Sequence, residues 1–169
     1  DASAWKPKRS MLKFFLIRHG ESAAAGAGSS DFQRILTLNG KSAIAALGNS
    51  LASQVISPVH IHCSAAKRTT ETAEILASRL CGIIYANHGF YNGGLHDYLE
   101  LLRNIGLQKQ VILVGHNPVV TELHYHLTGN WSVFMPGTCT ILTAPQDSAA
   151  DSISFNAGSM QQHALIHPA

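Results

Sequence analysis

The sequence predicts a three-layer α/β sandwich in which helices flank a mostly parallel central sheet. Short apolar runs alternate with segments of helical periodicity along the chain, which is the pattern of strand–helix–strand units. Of the residues, 46% are hydrophobic and 13% are charged, so the composition excludes a disordered chain. With 169 residues and no internal repeat, the chain is long enough for one domain with its own buried core.

The first half of the chain predicts two strands and two helices. An apolar run at 12–17 predicts a buried strand, and the small residues at 23–30 predict a flexible loop. Apolar residues recur at helical spacing over 41–53, which indicates an amphipathic helix. A strand is expected at 59–62 and a second helix at 67–80, which Gly82 ends.

In the second half of the chain, predicted strands and helices continue to alternate. We expect strands at 83–85, 111–114, 138–143 and 153–155, and helices at 95–105 and 119–127. Gly106 closes the first of these helices, and Pro118 suits the first turn of the second. A glycine-rich loop is predicted at 87–94, and the pattern after residue 156 is weak.

The predicted domain limit rests on the position of Met11, and the predicted location rests on the cysteines. Residues 1–10 precede Met11 and are predicted to be an N-terminal extension or an expression remnant, with a single domain over 11–169. Three cysteines without CxxC spacing indicate reduced thiols and a cytoplasmic location. No apolar run approaches the roughly 20 residues that cross a bilayer, so no membrane partner is expected.

Polar clusters directly follow three of the predicted strands. They occupy positions 18–22, 64–69 and 115–117. Because the carboxyl ends of parallel strands meet at one edge of a sheet, Arg18, His19, Arg68 and His116 are expected to converge. Guanidinium groups pair with phosphate oxygens, and a histidine can attack phosphorus, so the cluster predicts a site for a tetrahedral dianion. Residues 1–80 also carry ten of the 12 basic side chains, which favours an anionic ligand.

Three motifs in chain order resemble the histidine phosphatase superfamily, whose fold is phosphoglycerate-mutase-like. They are Leu-Ile-Arg-His-Gly-Glu-Ser at 16–22, Ser-x-x-x-Arg-Thr-x-x-Thr-Ala at 64–73 and Val-Gly-His-Asn-Pro at 114–118. Within the superfamily, residues 11 to about 145 are similar to the small SixA-like phosphohistidine phosphatases. The supporting features are Asp-x-x-Arg-x-Leu-Thr-x-x-Gly at 31–40, the helix at 95–103 and Met-Pro-Gly-Thr at 135–138.

The resemblance implies a covalent mechanism. His19 is expected to take the phosphoryl group from the substrate and to lose it to water, while Arg18, Arg68 and His116 hold the phosphoryl oxygens. No cofactor and no metal are expected, because fixed cations can stabilise the transferring charge. A zinc site is a weaker alternative that rests on His60 and His62, which share one strand face.

The roles of three further polar residues stay open. Glu21 and Ser22 are candidate phosphate-binding residues, although they and Thr69 can equally orient the arginines or cap the following segments. Many superfamily members carry a glutamate after the third strand that protonates the leaving oxygen, whereas this chain has Phe-Tyr-Asn-Gly-Gly at 90–94. Asp97 is a possible general acid, but a helix-capping role is favoured.

The absent glutamate favours a P–N substrate, because a phosphorylated imidazole can leave as a neutral molecule. The predicted partner is therefore a protein phosphorylated on histidine, for example a phosphotransfer domain, that reaches a shallow, open pocket. One alternative is a small-molecule phosphomonoesterase acting on sugar or nucleotide phosphates. Another is a non-catalytic phosphate-binding or interaction module. A nucleic acid partner is not expected.

Overall fold

The computed structural model describes residues 11–26, 28–105, 110–145 and 155–168. The extension predicted at 1–10 and the helix end predicted at Gly106 lie outside these residues. So do positions 153 and 154 of the predicted strand, while Phe155 is described and is not in a strand.

Strands and helices alternate as predicted from the first strand to α5. The strands are β1 (Met11–Arg18), β2 (Val59–Ser64), β3 (Gly82–Asn87), β4 (Gln110–Gly115), β5 (Cys139–Pro145) and β6 (Gln161–Ile166). The helices are α1 (Leu38–Leu51), α2 (Lys67–Leu80), α3 (Gly89–Asn92), α4 (Leu95–Asn104) and α5 (Val119–Thr128), and a 3-10 turn spans Asp31–Gln33.

The strands form one mixed sheet in the order β3-β2-β4-β1-β5-β6. The strands β1 to β4 are parallel, whereas β5 pairs antiparallel with β1 and β6 pairs antiparallel with β5. The prediction of a mostly parallel sheet is therefore confirmed. Because β1 and β4 are neighbours at the centre, the residues that follow them emerge side by side at one edge.

Two hydrophobic cores cover the two faces of the sheet. Phe14 and Leu16 of β1 pack in the core formed with α4 and α5, while Phe15 and Ile17 pack in the core formed with α1 and α2. All four side chains are fully buried, which explains why β1 is a continuous apolar run rather than an alternating one. The arrangement is the predicted three-layer sandwich.

Two elements differ from the sequence-based expectation. The predicted loop 87–94 contains the short helix α3, and β6 forms where the sequence pattern is weak. The first three residues of β6 are exposed, so no apolar alternation marks the strand. It is held by pairing with β5, with a register shift between Ile141 and Leu142.

The start of α1 packs directly against the loop that follows β1. Thr37 caps the helix by accepting a hydrogen bond from the Gly40 amide at 2.9 Å, and the Thr37 amide donates to the Glu21 carbonyl at 2.9 Å. Gly40 is buried, and a Cβ at this position would collide with the backbone of Glu21. A glycine is therefore required for this close approach.

Gly40→Ala is expected to destabilise the protein by about 1–3 kcal/mol, because the added methyl group forces the backbone at Glu21 to move. Urea unfolding measures the loss, and activity should fall as well because this loop includes His19. Asn49→Ala, at an exposed position of the same helix, is the control and should change the free energy of unfolding little. Equal midpoints for the Gly40 variant and the wild type would contradict the close packing.

Candidate active site

The predicted site residues come together at the carboxyl edge of the parallel strands. Arg18 ends β1, Arg68 lies in the first turn of α2, and His116 directly follows β4. A cavity of about 260 Å³ is lined by Arg18, His19, Glu21, Ser22, Arg34, Arg68, His116, Asn117 and Pro136. All six residues predicted for catalysis or phosphate binding therefore line one cavity.

Backbone hydrogen bonds fix the position of His19. Its amide donates to the Gly115 carbonyl at 3.1 Å, and its carbonyl accepts from the Gly137 amide at 2.9 Å. The next amide, that of Gly20, donates to the Thr72 hydroxyl on α2 at 3.1 Å. The loop after β1 is thus tied to three separate parts of the chain, which restricts the freedom of the His19 ring.

The ring of His19 is buried, and its hydrogen bonds define one tautomer. It is 8% exposed, and Nδ1 lies 2.7 Å from the Gly20 carbonyl, an acceptor, so Nδ1 carries the ring proton. Nε2 therefore keeps its lone pair, which accepts a hydrogen bond from Arg68 Nε at 3.3 Å. Burial, followed by the charges of Arg68 and Arg18, lowers the pKa of His19 to about 4, so the ring is neutral at pH 7.

Two polar atoms in the cavity residues lack partners in the described part of the chain. Arg18 donates through Nη1 to the Phe134 carbonyl at 2.7 Å, but its Nε is buried without a hydrogen bond. His116 shares a hydrogen bond of 2.8 Å between Nε2 and the Ser64 hydroxyl, whereas its Nδ1 is buried without a partner. Unsatisfied buried polar atoms are rare, and those beside a cavity are typical of a site that receives a polar ligand.

A carboxylate that the sequence analysis did not select holds the arginines in place. Asp31 accepts hydrogen bonds from Arg34 Nη1 at 2.9 Å, Arg68 Nη2 at 3.0 Å and the Tyr91 hydroxyl at 2.9 Å. Its carbonyl also accepts from Arg68 Nη1 at 2.7 Å. These donors, Arg34 first, lower the pKa of Asp31 to about 2, so it stays ionised. Both η nitrogens of Arg68 are therefore fixed by one residue.

Asp31→Asn is expected to lower kcat about tenfold with a smaller change in KM, because the Arg68 guanidinium loses its charged partner and its orientation. Steady-state phosphate release measures both constants. Tyr91→Phe removes one hydrogen bond to Asp31 and should have a smaller effect. Unchanged kcat in Asp31→Asn would show that Arg68 keeps its orientation without this carboxylate.

Arg34, which was not among the predicted site residues, lines the cavity and donates through Nη2 to the Ser22 hydroxyl at 3.0 Å. The only signal for it was the Asp-x-x-Arg spacing at 31–34. Ser22 thus orients an arginine, one of the roles left open. Thr69 donates to the Ser64 carbonyl at 2.7 Å and so supports the start of α2.

Asp97 caps a helix. Its carboxylate accepts the Gly94 amide at 2.8 Å at the start of α4, and it does not line the cavity. His60 and His62 both stack on Tyr85. Within the described ranges, no group of three or more His, Cys, Asp or Glu residues could hold a metal ion.

Stability is expected to fall as pH falls from about 6.5 towards 4. Burial first, and neighbouring charges second, lower the pKa of His19 to about 4 and of His116 to about 3 in the folded state. Because the unfolded chain takes up protons near pH 6.5, it binds more protons than the folded chain within this window. We expect the Tm to drop by at least about 5 °C between pH 7 and 4.5.

Thermal unfolding across this pH range tests the expectation, and His116→Gln is the variant that should flatten the curve. Tungstate or phosphate should oppose the drop, because a bound oxyanion favours protonated histidine. A Tm that is constant from pH 7 to 4.5 would contradict the burial of neutral histidines.

The site combines a buried histidine with three arginines at the carboxyl edge of an α/β sheet, an arrangement whose charge suits an anionic group such as phosphate. The sequence model described as the histidine phosphatase superfamily (branch 1) matches residues 14–87. Over these residues the chain resembles the histidine phosphatase superfamily, in agreement with its motifs. No curated protein sequence matches it significantly.

Solved structures extend the likeness over nearly the whole chain. A proposed phosphohistidine phosphatase SixA from Agrobacterium tumefaciens aligns with a TM-score of 0.79 and 23% identity, covering 93% of this chain and 98% of the other. A proposed SixA from Nakamurella multipartitia gives 0.76 and 20%, with coverages of 94% and 96%. The protein histidine phosphatase SixA in complex with tungstate gives 0.74 and 24%, with 93% and 97%. The shared feature is the fold.

Proposed function

We propose that this protein is a phosphatase that forms a phosphohistidine intermediate on His19 and acts on phosphohistidine in a protein. One observation carries the proposal: the Nδ1–H of His19 is bound to the Gly20 carbonyl, which leaves the Nε2 lone pair beside an arginine-lined cavity. A neutral imidazole held in this way is the form that can attack phosphorus.

In the proposed first step, His19 Nε2 forms a bond to phosphorus as the bond to the leaving nitrogen breaks. The leaving imidazole is protonated on its other nitrogen and departs as a neutral molecule. The three arginines of the cavity wall, Arg18, Arg34 and Arg68, stabilise the charge on the phosphoryl oxygens. In the second step, water attacks the same phosphorus, inorganic phosphate leaves and His19 recovers its lone pair.

The surroundings of the leaving group support a P–N rather than a P–O substrate. Asp97 caps α4 instead of lining the cavity, and α3 presents no carboxylate where many superfamily members carry a glutamate. Glu21 is the one carboxylate among the residues that line the cavity, and its side chain is exposed. An alkyl phosphate needs a proton donor for its leaving oxygen, whereas a phosphohistidine needs less help.

We also propose that the reaction needs no metal and takes place in the cytoplasm. The fixed arginines supply the positive charge that a metal ion supplies in other phosphatases. Cys63, Cys81 and Cys139 are all free thiols, which suits a reducing compartment. None of the helices in the described ranges has the length and hydrophobicity that a bilayer crossing needs.

The test is phosphate release, with EDTA present, from a phosphotransfer domain phosphorylated on histidine and from p-nitrophenyl phosphate. We expect turnover of the phosphohistidine protein. Turnover of the aryl ester alone would move the function to small phosphate esters, and no turnover of either substrate would favour a phosphate-binding module.

A further inference from the structure

A groove beside the catalytic cavity is not used by the chemistry proposed above. Its volume is about 620 Å³, and it is lined by Glu21, Asn39, Gly40, Ser42, Ala43, Ala46, Met135, Pro136 and Pro168. Glu21 and Pro136 also line the catalytic cavity, so the groove adjoins the cavity.

The rim of this groove is tied to the backbone around His19. The Thr37 amide donates to the Glu21 carbonyl, and the Gly137 amide donates to the His19 carbonyl, each at 2.9 Å. The rim consists of segments 38–39 and 133–136, which contain the lining residues Asn39, Met135 and Pro136 and adjoin the residues that bind the backbone at Glu21 and His19. Any molecule that covers the mouth of the cavity meets these segments.

The rim exposes large apolar side chains to solvent. Met135, which lines the groove, is 46% exposed, and Leu38 and Val133, which lie within two positions of lining residues, are 83% and 67% exposed. Scattered apolar residues are normal on a surface, but a cluster around the mouth of a cavity is typical of a protein interaction site.

Charged groups are sparse along the groove. Glu21 is the only charged residue of its lining. The one charged residue of α1, Lys41, lies 3.8 Å from Glu71 and so is already paired. The side chains that α1 contributes to the lining are small, which lets the backbone of a partner approach closely. Such a surface suits the apolar face of a helix.

Near Arg68 and His116, surface side chains already contact one another. The Phe32 ring stacks on His88 with centroids 5.8 Å apart, and the Tyr91 hydroxyl donates to Asp31 at 2.9 Å. These contacts connect the 3-10 turn to α3 and to His88, which precedes that helix. The side chains on this side of the cavity are therefore already in contact with each other. The side of the cavity next to the groove is the one that exposes apolar side chains to solvent.

We infer that the groove and its apolar rim are the docking site for the protein that carries the phosphohistidine, and that this protein presents a helix with an apolar face. The inference rests on the proposed function and specifies its partner. A histidine side chain is short and His19 is buried, so the carrier backbone must lie on the rim when the phosphoryl group reaches Nε2. A sugar phosphate has no apolar surface to cover this rim.

The test compares two P–N substrates: a phosphotransfer domain phosphorylated on histidine, and phosphoimidazole. Ala46→Arg places a large side chain in the groove, and Leu38→Ser and Met135→Ser remove apolar side chains from its rim. Each variant is expected to lower kcat/KM for the domain at least tenfold, mainly through KM, while turnover of phosphoimidazole stays within twofold of wild type. A loss of kcat/KM on the phosphotransfer domain, with turnover of phosphoimidazole retained, would indicate docking at the groove.

Two matched controls lie away from the groove. Ser78→Arg adds the same charge on exposed α2, and Ile83→Ser removes an exposed isoleucine from β3; both should retain wild-type kcat/KM on both substrates. Wild-type kcat/KM on the domain in all three groove variants would overturn the docking site, as would equal losses on both substrates. Failure of the wild-type enzyme on both P–N substrates would instead overturn the proposed function, and the docking site with it.

Discussion

His19→Ala is expected to lower kcat for a phosphohistidine protein by at least about 10⁴-fold, because the variant lacks the proposed nucleophile. Nε2 is the only ring nitrogen of His19 that keeps a lone pair, and Arg68 contacts it. The measurement is phosphate release in single and multiple turnovers. In parallel, alkaline quenching of the wild-type reaction should capture a phosphorylated histidine that the variant lacks.

His96→Ala serves as the control, because His96 is an exposed histidine of α4. It should retain turnover within about twofold, as is usual for surface substitutions. Thermal unfolding of both variants separates a lost nucleophile from a lost fold. Phosphate release by His19→Ala above a tenth of the wild-type rate would mean that water attacks the substrate directly or that another residue is phosphorylated.

Arg68→Lys is expected to lower kcat/KM about 10²- to 10³-fold although the charge is retained. Arg68 uses three nitrogens at once: Nε on His19, Nη1 on the Asp31 carbonyl and Nη2 on the Asp31 carboxylate. A lysine ammonium has no planar fork and cannot hold these positions together. Initial rates over a range of substrate concentrations measure the loss.

Arg79→Lys is the matched control, because Arg79 lies on the same helix and is exposed. It should leave kcat/KM unchanged. Arg68→Ala should lose more than Arg68→Lys, since it removes the charge as well as the fork. If lysine restored the full rate, positive charge alone would explain the role of position 68.

The elements that their own residues determine could be predicted well from the sequence. The helix predicted at 67–80 is found as Lys67–Leu80, because its apolar side repeats at helical spacing and ends at a left-handed cap. The strand predicted at 12–17 is present within β1 because both of its faces are buried. The four residues expected at the sheet edge line one cavity because parallel strands carry them there.

Elements that depend on distant partners could not be predicted in this way. Gln161–Ile166 becomes a strand only because β5 offers an edge for pairing, and the sequence does not show that edge. The hydrogen bond from Arg68 to Asp31 joins α2 to a turn 37 positions away in the chain, and no local spacing predicts it. The tautomer of His19 depends on a ring hydrogen bond that only the folded loop defines.

The central position of β1 and β4 has a consequence for the motions of the molecule. Their amides are expected to exchange with solvent only on global opening, since interior strands carry the most protected hydrogen bonds. Arg18 ends β1, His19 follows it and His116 follows β4, whereas Asp31 and Tyr91 belong to a 3-10 turn and a four-residue helix near the surface. Short elements of this kind are expected to open more readily than interior strands, so His19 should keep its position while the contact between Asp31 and Tyr91 opens and closes.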